Sequence, residues 1–174
     1  MSILDEIGVR CNEGRLFLVE PRDDLRAHLV PMSERRTLYV SSEIQEFLDS
    51  DHPLAGNTQA DFNDFILGRH FRLALELDHE DCLMARLDKP SDEVWEIRIY
   101  DYDTPQLRFF GRFAACDIFV AIVGPWKRRL LKWPFYERIK RRCQTEWNNL
   151  LGPYAPVSEG SDVHAYVSKN VTAI

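Results

Sequence analysis

Alternating apolar and polar residues between positions 94 and 123 predict three consecutive β-strands. In the first, VWEIRIY, one face carries Trp95, Ile97 and Ile99, and the other carries Val94, Glu96, Arg98 and Tyr100. This period of two indicates one buried face. An Asp-Thr-Pro turn separates it from a second strand, QLRFFGRFA, whose internal glycine suggests a β-bulge. The third strand, IFVAIV, is continuously apolar, as expected at the centre of a sheet, and Gly124 with the following proline is predicted to end it.

An amphipathic helix is predicted after these strands, from the region of Pro134 to the Gly-Pro pair that begins at Gly152. Proline is tolerated in a first turn, and glycine followed by proline is a common helix stop. The apolar stripe repeats at helical spacing and consists of Tyr136, Ile139, Cys143, Trp147 and Leu150. Another face carries Arg138, Arg141 and Arg142.

Shorter elements are predicted in the rest of the chain. The further strands are 15–20, 36–41, 82–87 and, in the tail, 163–167. The further helices are a short one within 21–29, one from a capping box at 42–45 to about 49, and one from about 57 with the apolar stripe Phe62, Phe65, Ile66 and Leu73. Strands that cluster after helices indicate an α+β fold, with an antiparallel sheet of about four strands packed against helices.

The length of 174 residues suggests one domain with additions at both ends. Residues 1–36 are expected to form an N-terminal extension packed on the core. Residues 37–152 would form the α+β domain, and residues 153–174 a C-terminal tail with an edge strand.

Charge is distributed unevenly along the chain. The net charge is −6, yet residues 126–142 contain eight basic residues and one acidic residue, so this segment carries +7 and the remainder −13. A basic patch on an acidic body attracts phosphate groups locally without binding nucleic acid indiscriminately. From charge alone, a solvated helix face is an equally good interpretation.

Composition and motifs exclude several classes of protein. The four cysteines have no metal-finger spacing and form no redox pair, which predicts packed thiols in a reduced, cytoplasmic protein. No basic segment followed by an apolar run marks a secretion signal, and no apolar segment is long enough to span a membrane. Gly-rich phosphate loops and H-E-x-x-H are missing from the sequence. We therefore expect no cofactor, no metal and no membrane partner.

Four motifs together resemble the RelE/ParE toxin superfamily, most closely its HigB-like and phage-derived branch. They are WEIR, LRFFGRF, DIFVAIVGPWKR and the basic helix, and the similarity spans about residues 36–151. The resemblance implies a RelE-like domain and a toxin of a toxin–antitoxin system. It further implies an RNA-binding, metal-independent endoribonuclease that cleaves mRNA on the ribosome through attack of the 2′-OH on the adjacent phosphate. The implied partners are RNA or the ribosome and an antitoxin protein, and a homodimer is a further expectation.

The same resemblance suggests site residues. Arg98 matches the arginine of the family's strand motif, and Lys127 and Arg128 match the basic residues after the last long strand. Cleavage needs cations beside the pentavalent phosphate, so Arg98, Arg112 and Lys127 are the predicted catalytic residues. The predicted nucleic-acid-binding residues are Arg108, Arg128, Arg129, Lys132, Arg138, Arg141 and Arg142.

Strand alternation places Arg108 and Arg112 on one face, so the two guanidinium groups are predicted to converge. An equally weighted alternative is that they are polar residues of a solvated sheet face. His164 and Tyr166 share a face of the predicted tail strand, where they either serve as acid or base or are incidental.

A non-enzymatic binding or inhibitor protein, phage-encoded and built on the same scaffold, is the competing hypothesis. Its acidic body would mimic nucleic acid or meet a basic partner. Exposed aromatic residues near the basic helix, such as Trp126, Trp133 and Phe135, would suit a protein interface. Core packing is the better interpretation for the last two.

Overall fold

The computed structural model describes residues 1–22, 31–77, 81–101, 104–127 and 134–174. Its strands are β1 Leu16–Leu18, β2 Thr37–Ser41, β3 Phe71–Ala74, β4 Met84–Arg86, β5 Trp95–Asp101, β6 Thr104–Ala115, β7 Ile118–Lys127 and β8 Val171–Ala173. Its α-helices are α1 Ile3–Asn12, α2 Ser42–Leu48, α3 Ala55–Ile66 and α4 Phe135–Leu151. The strands form one sheet in the order β1-β2-β7-β6-β5-β4-β3-β8.

The predicted three-strand meander is confirmed as the centre of this sheet. Strands β5, β6 and β7 are antiparallel neighbours, and the register shifts next to Gly111, where a bulge was expected. A Cβ atom at Gly111 would lie 2.1 Å from the carbonyl oxygen of Val120, so only glycine fits this close approach. β7 continues past Gly124 to Lys127, so the prediction that the Gly-Pro pair ends the strand was wrong.

The prediction of an antiparallel sheet of about four strands was wrong, because the sheet has eight strands and mixed pairing. β2 pairs with β7 in parallel, and β3 pairs in parallel with both β4 and β8. These pairings join segments that are distant in sequence or separated by a crossover, and the periodicity within one segment cannot predict them. The β2–β7 pairing extends the meander on its β7 side. The β3–β4 and β3–β8 pairings lie in the half of the sheet beyond β5.

Helices cover both faces of the sheet. α2 and α3 pack on the face that carries Trp95, Ile97 and Ile99, which confirms the predicted buried side of β5. α1 and α4 pack on the other face, which includes Phe110, Val120 and Val123. The second face of β5 is therefore also buried, and the polar residues predicted to face solvent lie beneath α4.

Several local predictions need correction. Val163–Ala165 is a 3-10 helix, and the tail strand is β8 at the edge of the sheet. α1 was not predicted, and Leu73 belongs to β3 rather than to the stripe of α3. α2 is present without the predicted capping box, because Ser42 is already the first helical residue and the N-cap is Ser41. The Ser41 hydroxyl donates to the carbonyl oxygen of Ile122 at 2.8 Å and does not cap the helix. The predicted helix within 21–29 lies mostly outside the described residues.

Candidate functional site

A row of polar side chains crosses the centre of the sheet beneath the first turns of α4. Arg98 of β5 is in register with Arg108 of β6, which is in register with Trp126 of β7. Residues paired in this way lie side by side on one face. Glu96 lies on the same face of β5, two residues from Arg98. Arg98 and Arg108 are only 2% and 4% exposed, so the row is internal.

Glu96 connects the members of this row. Its Oε1 accepts a hydrogen bond from Nε of Arg98 at 2.6 Å, and its Oε2 lies 3.5 Å from Nε of Arg108. The hydroxyl of Tyr136, in the first turn of α4, donates to Oε2 at 3.2 Å. Arg98 also donates through Nη1 to Sγ of Cys82 and through Nη2 to the carbonyl oxygen of Leu77, each at 3.1 Å. Arg98 is thus held by protein acceptors on every nitrogen.

The surroundings fix the protonation states in the row. Burial and the charge of Glu96 together raise the pKa of Tyr136 to about 12, although Arg108 opposes the rise. Burial disfavours the charged form of Arg98, but the neighbouring groups, chiefly the charge of Glu96 and its hydrogen bond, together outweigh this effect, so the pKa of Arg98 is raised. At neutral pH, Tyr136 is therefore a hydroxyl donor and Arg98 a cation.

Arg108 differs from Arg98 in its hydrogen bonding. Its Nε and Nη1 atoms are buried and make no hydrogen bond to any residue that the structure describes. The same holds for Nε1 of Trp126, its neighbour on β7. Leaving one buried donor unsatisfied costs about 1–3 kcal/mol. This part of the row has donors in excess of acceptors.

Arg112 lies at a different place beneath α4. Its Nη2 donates to the carbonyl oxygen of Asp92 at 2.5 Å and its Nε to that of Glu93 at 3.3 Å. Its guanidinium carbon lies 5.4 Å from the ring centroid of Trp147. Burial lowers the pKa of Arg112, although the side chain stays charged at neutral pH. Arg108 lies beside Glu96, which Tyr136 contacts from the first turn of α4. Arg112 instead packs on Trp147 near the end of that helix, so the predicted convergence of the two arginines is not observed.

Among the predicted site residues that the structure describes, the exposed ones lie on α4 and at the end of β7. Lys127, Arg138 and Arg141 are exposed and form no ion pair within the described ranges. Arg142 is also on the surface but pairs with Glu43 of α2. The remaining predicted nucleic-acid-binding residues lie outside the described residues, namely Arg128, Arg129 and Lys132. We call Lys127, Arg138 and Arg141 the basic surface.

Lys140 belongs to the basic segment but is only 2% exposed. Its Nζ atom donates to the carbonyl oxygen of Asp88 at 3.0 Å and lies 3.2 Å from Oδ2 of Asp92 and 2.8 Å from Oε1 of Glu137. The ammonium group therefore connects α4 to the turn before β5 through hydrogen bonds and ion pairs. Lys140 does not contribute to the positive charge on the surface.

Sequence reasoning missed two members of the buried cluster, the acceptor Glu96 and the donor Tyr136. The alternation in β5 predicted that Glu96 and Arg98 share a face, and this was the only sequence signal that the two side chains could form an ion pair. His164 and Tyr166 do not share a site, because His164 is exposed while Tyr166 is fully buried. The hydroxyl of Tyr166 donates to Oε1 of Glu93 at 3.0 Å, in a separate buried cluster.

Comparisons with known proteins give no match to any family model, curated protein or solved structure. Within the part of the chain that the structure describes, no group of three or more His, Cys, Asp or Glu residues is placed to hold a metal ion. No helix in that part is sufficiently long and apolar to cross a membrane. The site must therefore be interpreted from its own geometry.

Proposed function

We propose that this chain is a non-enzymatic RNA-binding protein that contacts its ligand through the basic surface. The observation that carries the proposal is the separation of two sets of cations. Arg98 and Arg112 are enclosed and donate to protein acceptors, whereas the cations of the basic surface are exposed and unpaired among the described residues.

Exposed arginine and lysine side chains suit contacts with phosphate groups. Such contacts neutralise backbone charge and release counterions, which gives affinity that depends strongly on salt and little on sequence. Arg138 and Arg141 are three residues apart on α4, so they are neighbours on one helix face. The sequence between Lys127 and α4 adds Arg128, Arg129 and Lys132 to this part of the chain. The charge of −13 elsewhere would limit adhesion to other polyanions.

Binding is favoured over cleavage for a chemical reason. Cleavage by the 2′-OH needs a cation at the reacting phosphate, together with a base and an acid in reach of it. Arg98 and Arg112 would reach a phosphate only if their internal hydrogen bonds opened. Their catalytic role stays a prediction, and so does the toxin role implied by the RelE/ParE resemblance.

Fluorescence anisotropy with a 5′-labelled single-stranded RNA of mixed sequence tests the proposal. We expect saturable binding at low salt that weakens steeply as salt increases, and the RNA recovered after prolonged incubation should run at its original length on a denaturing gel. Absence of binding would contradict the proposal. Shortened RNA, abolished by Arg98→Lys in a variant shown to be folded, would support the endoribonuclease instead.

A further inference from the structure

We propose that Arg108 and Trp126 form a binding site for one small oxyanion, a phosphate or carboxylate group, beneath the start of α4. The two residues lie side by side on β6 and β7. This inference does not rest on the RNA-binding proposal, because it involves none of the residues of the basic surface.

The first argument is an excess of hydrogen-bond donors. Nε and Nη1 of Arg108 and Nε1 of Trp126 are all buried, and none has an acceptor among the residues that the structure describes. The neighbouring carboxylate of Glu96 is already engaged by Arg98 and Tyr136, and its Oε2 is 3.5 Å from Arg108 Nε. Guanidinium and indole nitrogens can only donate, so the group that completes this site must be an acceptor.

The second argument is charge. Arg98 and Arg108 bring two positive charges to the row, and Glu96 supplies one negative charge. Tyr136 adds no second negative charge, since its hydroxyl remains protonated at neutral pH. A buried charge is costly unless it is paired, so an anion would be stabilised here.

The start of α4 also favours the binding of an anion at this site. Tyr136 connects the first turn of this helix to the row through Glu96. The N-cap residue Pro134 provides no side-chain hydrogen bond to the first backbone N–H groups of the helix. The positive end of the helix dipole therefore lies on the side of the row from which Tyr136 reaches Glu96, and it favours an anion there.

The burial of the neighbouring side chains indicates where an anion would reach the site. Arg98 is enclosed on its side of the row by Cys82 and Leu77. Trp126 and Tyr136 are only half-buried, so the row reaches the surface at these two residues. An anionic group entering there would meet the donors of Arg108 and Trp126, while the rest of its molecule would remain outside.

The test uses the full chain labelled with 15N, with inorganic phosphate and acetate as separate probes at constant ionic strength. The Trp126 indole resonance is assigned by its loss in Trp126→Phe. We expect this resonance to shift saturably with at least one anion, and the tighter of the two identifies the ligand as phosphate or carboxylate. No saturable shift with either anion would overturn the proposal and indicate water as the acceptor.

Variants separate this site from other cationic positions. Calorimetric titration with the tighter anion should show affinity weakened about tenfold in Arg108→Lys and severalfold in Trp126→Phe, which keeps the ring but removes the donor. Trp126 is half-buried, so its variant tests the site even where Arg108→Lys does not fold. Arg138→Gln with Arg141→Gln should leave anion binding unchanged. Unchanged affinity in the two site variants, or loss in the surface variant, would overturn the proposal.

Discussion

Nε of Arg98 lies 2.6 Å from Oε1 of Glu96, and this ion pair is almost completely buried between the central strands and α4. The two residues alternate onto the same face of β5, and Arg108 on β6 approaches the same carboxylate. One glutamate thus approaches two buried guanidinium groups. This relationship explains why arginines that are prominent in the sequence are not part of the exposed charge.

The role of Glu96 is testable by Glu96→Gln, which keeps the shape of the side chain but removes its charge. We expect a loss of about 3–5 kcal/mol in the free energy of unfolding, because the buried arginines would be left without their counter-charge. Urea denaturation followed by circular dichroism provides the measurement.

Glu46→Gln is the matched control, since Glu46 is exposed on α2. It should change the free energy of unfolding by no more than about 0.5 kcal/mol. If Glu96→Gln and Glu46→Gln had equal effects, the buried charges would not be coupled as described.

Lys140 provides a second stability prediction. Lys140→Met keeps the length of the side chain and removes the ammonium group that contacts the turn at Asp88 and Asp92. We expect a loss of about 1–3 kcal/mol, since the hydrogen bonds of a nearly buried ammonium group would be lost. Arg141→Met, on the exposed side of the same helix, should have little effect in the same denaturation experiment. Comparable losses for the two variants would show that the internal contacts of Lys140 contribute nothing.

Asp61 on α3 predicts a dependence of stability on pH. Burial raises its pKa from 3.8 to about 6, the backbone N–H of Tyr100 opposes the rise and Asp64 adds to it. The folded state therefore holds the proton more tightly than the unfolded state. Its contribution to stability decreases as the pH rises from about 4 to about 6 and stays low above that range.

Asp61→Asn should remove this effect. At pH 7.5, we expect the variant to be more stable than the wild type by about 1 kcal/mol, a value reduced for the partial exposure of the side chain. At pH 4 the gain should disappear, because the wild-type carboxyl group is then protonated. Asp51→Asn, at an exposed position, is the control. A gain of the same size at both pH values would exclude titration of Asp61 as its cause.

The contrast between correct and incorrect predictions of the fold has a physical basis. The meander from β5 to β7 was predictable because its strands are consecutive and each carries its own alternation or apolar run. β8 and the parallel pairing of β2 with β7 depend on contacts between distant segments. β3 was missed for a different reason, since the short segment FRLA continued the apolar spacing of the preceding helix.

The candidate site shows a similar limit. Alternation predicted that Glu96 and Arg98 share a face, yet it gave no indication that α4 covers that face. The apolar stripe of α4 requires a buried surface, and the sheet supplies it together with the arginines. Lys140 illustrates the same difficulty, because its polarity suggests exposure and only its contacts around Asp92 explain its burial.

The most direct test of the proposed function compares two double variants with the same change in net charge. Arg138→Gln with Arg141→Gln alters the basic surface, while Arg69→Gln with Arg72→Gln alters two exposed arginines near β3. In the first variant we expect RNA affinity at low salt to fall about tenfold or more, and the slope of log affinity against log salt to decrease by about 2. In the second variant both quantities should match the wild type. Equal losses in the two variants would show that net charge, not the basic surface, governs binding and would contradict the account.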